Sequence, residues 1–328
     1  MTLTNSQSAR AVLQRQFADE VADYLQRTPR QLPSKYFYDA LGSALFDAIC
    51  LLPWYRITRA ESALLERYAH EIVAPLQRPL TLAELGCGNG EKMGVLATRA
   101  AERFQSVQLV DISPAALYAA RRRLESMRIG PVVVHAATYE AGLAQLARTR
   151  RNAAMLVLFL GSNIGNFDPA PARDILVRIR ASLREGDALL LGSDLVKPER
   201  DLLVAYDDPL QVTAAFNRNI LRRINAELDG TFDLEAWMHR AVWNAARGRV
   251  EMHLVSSASQ LVRIGAADLD LHFKADEWIW TESSYKYDRE RLDTLVSAGG
   301  FEITRLWTDA RELFWVALLS VAPTPTAR

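Results

Sequence analysis

The stretch Glu84-Leu85-Gly86-Cys87-Gly88-Asn89-Gly90-Glu91-Lys92 decides the fold. It follows the apolar run Leu80–Leu85 and opens a segment of helical periodicity. Glycines at a strand-to-helix turn let the backbone reverse sharply and approach a ligand closely. Downstream, short apolar runs recur at Val107–Asp111, Val132–Val134, Met155–Leu160 and Ala188–Gly192, separated by amphipathic helices. Runs of this length flanked by helices predict a parallel sheet covered on both faces. Ser113-Pro114 and Asp168-Pro169 each read as an N-cap followed by proline at the first helical position. The fold class is therefore α/β, with a doubly wound, Rossmann-like core.

The flanks differ in texture. Upstream, the periodicity predicts a helix over 8–27, with Val12, Leu13, Phe17, Val21, Tyr24 and Leu25 on its inner face. An aromatic-rich stretch of short helices and loops follows. Thr58 and Glu61 have the spacing of a capping box that starts the next helix. Beyond the core strands, residues 198–285 break the strand-helix rhythm. They predict helices over 200–205 and 211–228, then strands over 241–244, 250–255, 260–264 and 269–273. A helix over 289–298 and strands over 301–308 and 313–321 return to the core pattern. The predicted division is a core of 62–197 plus 286–328. The second domain is a discontinuous α+β substrate domain of 1–61 plus 198–285.

Bulk composition limits the function classes. Among 328 residues, Lys+Arg and Asp+Glu both number 39, so no net field attracts nucleic acid or an anionic membrane. The basic runs at 121–123 and 148–151 read as solvated faces. Two cysteines, Cys50 and Cys87, are too few for a disulfide framework, and with no leader-like N-terminus they predict a cytoplasmic protein. The five histidines show no metal-ligand spacing, so no metal is expected. A monomer is expected.

The chemistry starts at the glycine loop. Its spacing is E-x-G-x-G-x-G, not the G-x-G-x-x-G that seats a dinucleotide pyrophosphate. Asp111 ends the next strand, where a carboxylate can accept both ribose hydroxyls. Together these point to S-adenosylmethionine (SAM), held at Gly86, Gly88 and Asp111, with Lys92 placed for its carboxylate. Cys87 reads as a small filler, since no neighbour lowers its pKa. A second loop, Gly161-Ser162-Asn163-Ile164-Gly165-Asn166-Phe167, ends the fourth core strand, where open α/β sheets place reacting substrates. Its carbonyls and amides can orient an amine.

The stretches KYFYDALGSALFD, LPWYRITRAE, ELGCGNGEK, VLFLGSNIGNF, LLLGSDLVK, AYDDPLQVTAAFNRN, VEMHL and TESSYKY span about residues 30–320. In them the chain resembles the SAM-dependent L-histidine Nα-methyltransferases of ergothioneine biosynthesis. The resemblance implies a class I SAM methyltransferase core. It implies that Gly86, Lys92 and Asp111 hold SAM, and that Tyr55, Asn166 and Tyr206 bind the amino-acid portion of L-histidine. Gly161 would meet the amine, Glu282 and Ser284 would hydrogen-bond histidine, and Met252 would pack on the imidazole. Tyr38 and Phe46 match aromatics near the methyl-transfer centre. It further implies three successive transfers to hercynine. One position departs: the family usually carries Asp-Phe at the adenine pocket, where this chain has Thr138-Tyr139. Threonine keeps a hydrogen-bond acceptor but no charge. Two other readings stand beside this one: methylation of another amino acid or amine, and a non-catalytic SAM-binding module.

Overall fold

The computed structural model describes residues 2–77, 79–149, 153–309, 311 and 314–321, with side chains from residue 11 onward. Arg150 and Arg151 of the second basic run, and Leu313 at the start of the last predicted strand, lie outside the described residues. In chain order the helices are α1 (Thr2–Leu25), α2 (Ala40–Leu51), α3 (Ile57–Val73), α4 (Glu91–Arg99), α5 (Pro114–Ser126), α6 (Tyr139–Thr149), α7 (Pro169–Ser182), α8 (Glu199–Tyr206), α9 (Val212–Leu228) and α10 (Arg289–Ala298). The strands are β1 (Leu80–Leu85), β2 (Phe104–Asp111), β3 (Val132–Ala136), β4 (Ala154–Phe159), β5 (Ala188–Asp194), β6 (Trp237–Asn244), β7 (Arg249–Ser256), β8 (Gln260–Ile264), β9 (Leu269–Phe273), β10 (Trp278–Tyr285), β11 (Phe301–Thr308) and β12 (Phe314–Val321).

The chain divides into two compact units. The larger holds Tyr55–Pro198, Ala246–Gly248 and Ser284–Arg328. Its seven-stranded sheet has the order β11-β12-β5-β4-β1-β2-β3. The first five strands run parallel, and β12 pairs antiparallel with β5 and with β11. This is the doubly wound core that the alternating apolar runs predict. Every residue of β1 and of β5 is buried, as a strand covered on both faces requires. Ala83, Val157, Leu189 and Ala317 face one way and share a cluster with Leu146 of α6, Ile175 and Ile179 of α7 and Leu292 of α10. Each fully buried leucine or isoleucine there contributes about 1.5–3 kcal/mol.

The smaller unit holds Met1–Trp54, Glu199–Ala245 and Arg249–Ser283. It contains a three-stranded sheet, β10-β7-β6, and the β8-β9 hairpin. Strand β10 escapes the sequence reading because Thr281, Glu282, Ser283 and Ser284 interrupt its apolar alternation. On α1, Phe17, Val21 and Leu25 are buried as expected. Val12 and Leu13 are instead 65% and 67% exposed, because the apolar stripe runs beyond the surface the helix packs on.

The two predicted caps at proline behave differently. Ser113 Oγ accepts the Ala116 N–H at 3.3 Å. Asp168 occupies the N-cap of α7 without bonding the helix, because its carboxylate accepts from Tyr285 Oη at 2.7 Å. The Thr58–Glu61 capping box does not form. Helix α3 starts at Ile57 after an uncapped Arg56, and Glu61 faces inward.

Candidate active site

The cofactor loop is built from β1, β2 and the start of α4. Gly86 N and Cys87 N both donate to Val110 O, at 2.8 and 3.2 Å, which lays the loop across the end of β2. Asp111 then ties the loop down: Oδ2 accepts from Gly88 N at 2.9 Å and Oδ1 from Ser113 N at 2.8 Å. Burial pushes the Asp111 carboxyl up, and these N–H donors oppose the shift. Gly86, Gly88 and Gly90 all have positive φ, at 73°, 52° and 74°. A Cβ on Gly86 would lie 2.8 Å from Asn163 Nδ2 and 3.0 Å from Tyr139 Oη, and one on Gly90 would lie 2.9 Å from Ala120. At Gly88 it would meet nothing within 4 Å. Two glycines therefore permit close packing, and the third leaves backbone open to a ligand. Cys87 is buried, and burial followed by Asp111 and Glu84 pushes its thiol up, in keeping with an inert filler.

Glu84, at the end of β1, is 2% exposed, and its Oε2 has no hydrogen-bond partner. Burial pushes its carboxyl well up; Lys92 opposes this, while Glu61 and Asp111 add to it. Three carboxyl groups and one ammonium thus share a small region. Glu61 also belongs to this cluster, a placement that its spacing from Thr58 did not suggest. It is fully buried; both carboxylate oxygens lie 2.9 Å from Gly161 N, and Oε2 lies 2.5 Å from Lys92 Nζ. The available signal was a glutamate on the apolar stripe of α3, between Ile57 and Leu64-Leu65.

The second loop leaves β4 through Gly161 (φ 75°) and Ser162 (φ 57°) and forms a short 3-10 turn over Asn163–Asn166. Ser162 Oγ accepts from Asp194 N at 3.0 Å. A Cβ on Gly165 would stand 2.7 Å from Tyr285 O, so this glycine admits the backbone of the TESSYKY stretch. Ser284 lies in that stretch, and its Oγ accepts from Lys286 Nζ at 2.9 Å. Tyr55 is buried in the same unit.

The remaining predicted residues fall in the smaller unit. Tyr38 and Phe46 meet edge-on with ring centroids 5.7 Å apart, and Phe216 of α9 packs on both. Met252 and Glu282 sit on the neighbouring strands β7 and β10. Buried Asn217 joins these strands: its Nδ2 donates to His253 O at 3.1 Å, and its Oδ1 accepts from Thr281 Oγ1 at 2.7 Å. Thr281 Oγ1 also lies 2.9 Å from Met252 O. Tyr206 ends α8, where its carbonyl accepts from His239 Nε2 at 2.7 Å. Asn217 and Phe216 give the TAAFNRN stretch its role: it supports the residues around it.

Thr138 precedes α6, and its Oγ1 accepts from Ala141 N at 3.4 Å. Tyr139 packs edge-on against Phe159 at 5.2 Å. Asp111, Lys92, the glycine backbone and an orphaned buried carboxyl oxygen form a donor and acceptor set that fits SAM.

The family model described as "Histidine-specific methyltransferase, SAM-dependent" matches residues 17–321. The chain belongs to this family. It is 41% identical over 303 residues to the histidine N-alpha-methyltransferase of Mycobacterium tuberculosis, covering 91% of this chain and 93% of that one. Against the protein of the same name from Mycolicibacterium smegmatis the identity is 39% over 312 residues, covering 92% and 96%. A third relative, ergothioneine biosynthesis protein 1 of Schizosaccharomyces pombe, is 29% identical over 288 residues, covering 83% of this chain and 36% of that one. As a member of the family the chain is a SAM-dependent methyltransferase. Among the described residues no group of three or more His, Cys, Asp or Glu side chains is placed to hold a metal ion. No helix among them is long and apolar enough to cross a membrane.

Proposed function

We propose that this histidine-specific methyltransferase acts on the α-amino group of L-histidine, three times in succession, to give hercynine, the first step of ergothioneine biosynthesis. One structural observation carries the reading. The SAM loop and the GSNIGN loop abut, so closely that a Cβ on Gly86 would lie 2.8 Å from Asn163 Nδ2. An amine held at the second loop is therefore beside the first.

Bound at the glycine loop, SAM supplies a methyl group on a positively charged sulfur. The chain's part is binding, orientation and exclusion of water. Gly86, Gly88, Lys92, Asp111, Thr138 and Tyr139 would hold the cofactor. Gly161 and Asn166 would orient the amine, which must be neutral to offer its lone pair; no side chain is assigned as general base. Tyr55 and Tyr206 would bind the amino-acid portion, and Ser284 a second polar point. Glu282 would accept the imidazole N–H, with Met252 against the ring. A carboxylate there disfavours a phenyl side chain, which offers it no hydrogen bond. The aromatic faces of Tyr38 and Phe46 suit a nitrogen that becomes cationic. The reading includes a cytoplasmic monomer with a small-molecule substrate and neither nucleic acid nor membrane as partner, in keeping with the balanced charge.

Mass spectrometry of histidine incubated with the protein and SAM tests it. The expected result is one, two and three added methyl groups appearing in order. Methylation of another amine from a substrate panel, with histidine untouched, would overturn it, as would SAM binding without turnover.

A further inference from the structure

Glu61 does more than fill α3. Its carboxylate is sealed from solvent, a placement that is unfavourable unless the charge is paired. An apolar side chain at this point of the stripe would pack α3 as well or better. The carboxylate instead contacts two groups, the Gly161 N–H and the Lys92 ammonium, which come from the substrate loop and the cofactor loop. The surroundings make room for it. A Cβ on Gly192 of β5 would stand 2.0 Å from Glu61 Oε1, and one on Gly161 would stand 3.0 Å from Lys92 Nζ. Gly161 itself holds a φ of 75°, so a hydrogen bond to its N–H restrains the backbone where β4 becomes the loop.

We propose that Glu61 is a positioning residue for methyl transfer: one buried charge that holds the substrate loop through Gly161 and the cofactor-facing lysine through Lys92, so that the two anchors keep a fixed separation. The inference rests on the methyltransferase reading above. Transfer between two bound groups is sensitive to their relative placement, and a misplacement near 1 Å costs about 100-fold in rate. Glu61 touches neither reactant in this scheme and acts through the two groups it fixes.

The test compares Glu61→Gln and Glu61→Asp with the wild-type protein. Glutamine keeps the size and an acceptor for Gly161 but loses the charge that pairs Lys92. Aspartate keeps the charge at shorter reach. For Glu61→Gln the expected result is a histidine kcat lower by about 10- to 100-fold with the histidine KM within about threefold. Affinity for S-adenosylhomocysteine, measured by calorimetry, is expected to fall several-fold, and Glu61→Asp should recover part of both losses. A residue that only packs α3 would lower the melting temperature and leave kcat per folded molecule unchanged. A Glu61→Gln protein that melts near wild type and keeps both kcat and S-adenosylhomocysteine affinity within twofold would overturn the proposal. If wild-type protein binds S-adenosylhomocysteine but leaves histidine unmethylated, the substrate reading fails by itself, and the calorimetric comparison still decides for or against Glu61.

Discussion

The ammonium of Lys286 and the carboxylate of Asp194 form a 2.8 Å ion pair at 0% and 1% side-chain exposure. Lys197 closes on the other oxygen of Asp194 at 2.5 Å. Burial alone would raise the Asp194 carboxyl; Lys286 and Lys197 outweigh it and hold it below the ordinary range. Since Lys286 also donates to Ser284, the pair supports a predicted substrate contact. Lys286→Met leaves Asp194 with Lys197 alone, and is expected to cost about 3 kcal/mol of unfolding free energy in urea melts. Asp194→Asn should cost more, since it takes the counter-charge from both Lys286 and Lys197 in a buried setting.

Stability should fall as pH drops through the histidine range. Burial holds both His239 and His253 below the ordinary histidine value of 6.5. The unfolded chain then binds protons first, so stability is full above about pH 6.5 and is lost below it, by up to about 1.4 kcal/mol per pH unit per histidine. Urea unfolding at pH 7.5, 6.5 and 5.5 checks this. His239→Gln, which keeps a donor toward Tyr206 O, should flatten the slope.

Asp111→Ala removes the acceptor of the Gly88 and Ser113 N–H groups as well as the proposed ribose contact. A hydrogen bond to a charged acceptor contributes about 1.5–3 kcal/mol, so losing the ribose contact should weaken affinity for S-adenosylhomocysteine at least about tenfold in calorimetry. Unchanged affinity would remove Asp111 from the cofactor site.

Gly86→Ala meets two obstacles, a φ of 73° and side chains 2.8 to 3.0 Å from the new methyl. The left-handed backbone alone costs about 1–2 kcal/mol. Displacement of Asn163 and Tyr139 should also lower S-adenosylhomocysteine affinity about tenfold, the equivalent of about 1.4 kcal/mol. Calorimetry beside a thermal melt separates the two losses.

Glu282→Ala should raise the histidine KM by about 30-fold or more, as expected when a hydrogen-bonded charge that the substrate covers, worth about 2–5 kcal/mol, is lost. S-adenosylhomocysteine affinity should stay within about twofold. Wild-type histidine kinetics in this variant would exclude Glu282 from the substrate site.

Local pattern alone determined the core. Leu80–Leu85, the later apolar runs and the helices between them predict a parallel sheet covered on both faces, which holds for β1 and β5 but not for the edge strand β3, where Val133 and Val134 are exposed. The glycine loop and Asp111 were legible because turn geometry and strand ends are short-range. Strand β10 was not, because its buried Thr281 is satisfied by Asn217, 64 residues away. Tertiary structure also decided the place of Glu61. Its spacing from Thr58 fits a cap, yet its partner Gly161 lies 100 residues on, and that meeting depends on how α3 packs on the sheet. A carboxylate's partner is set by distance in space, which the spacing of residues along a chain does not record.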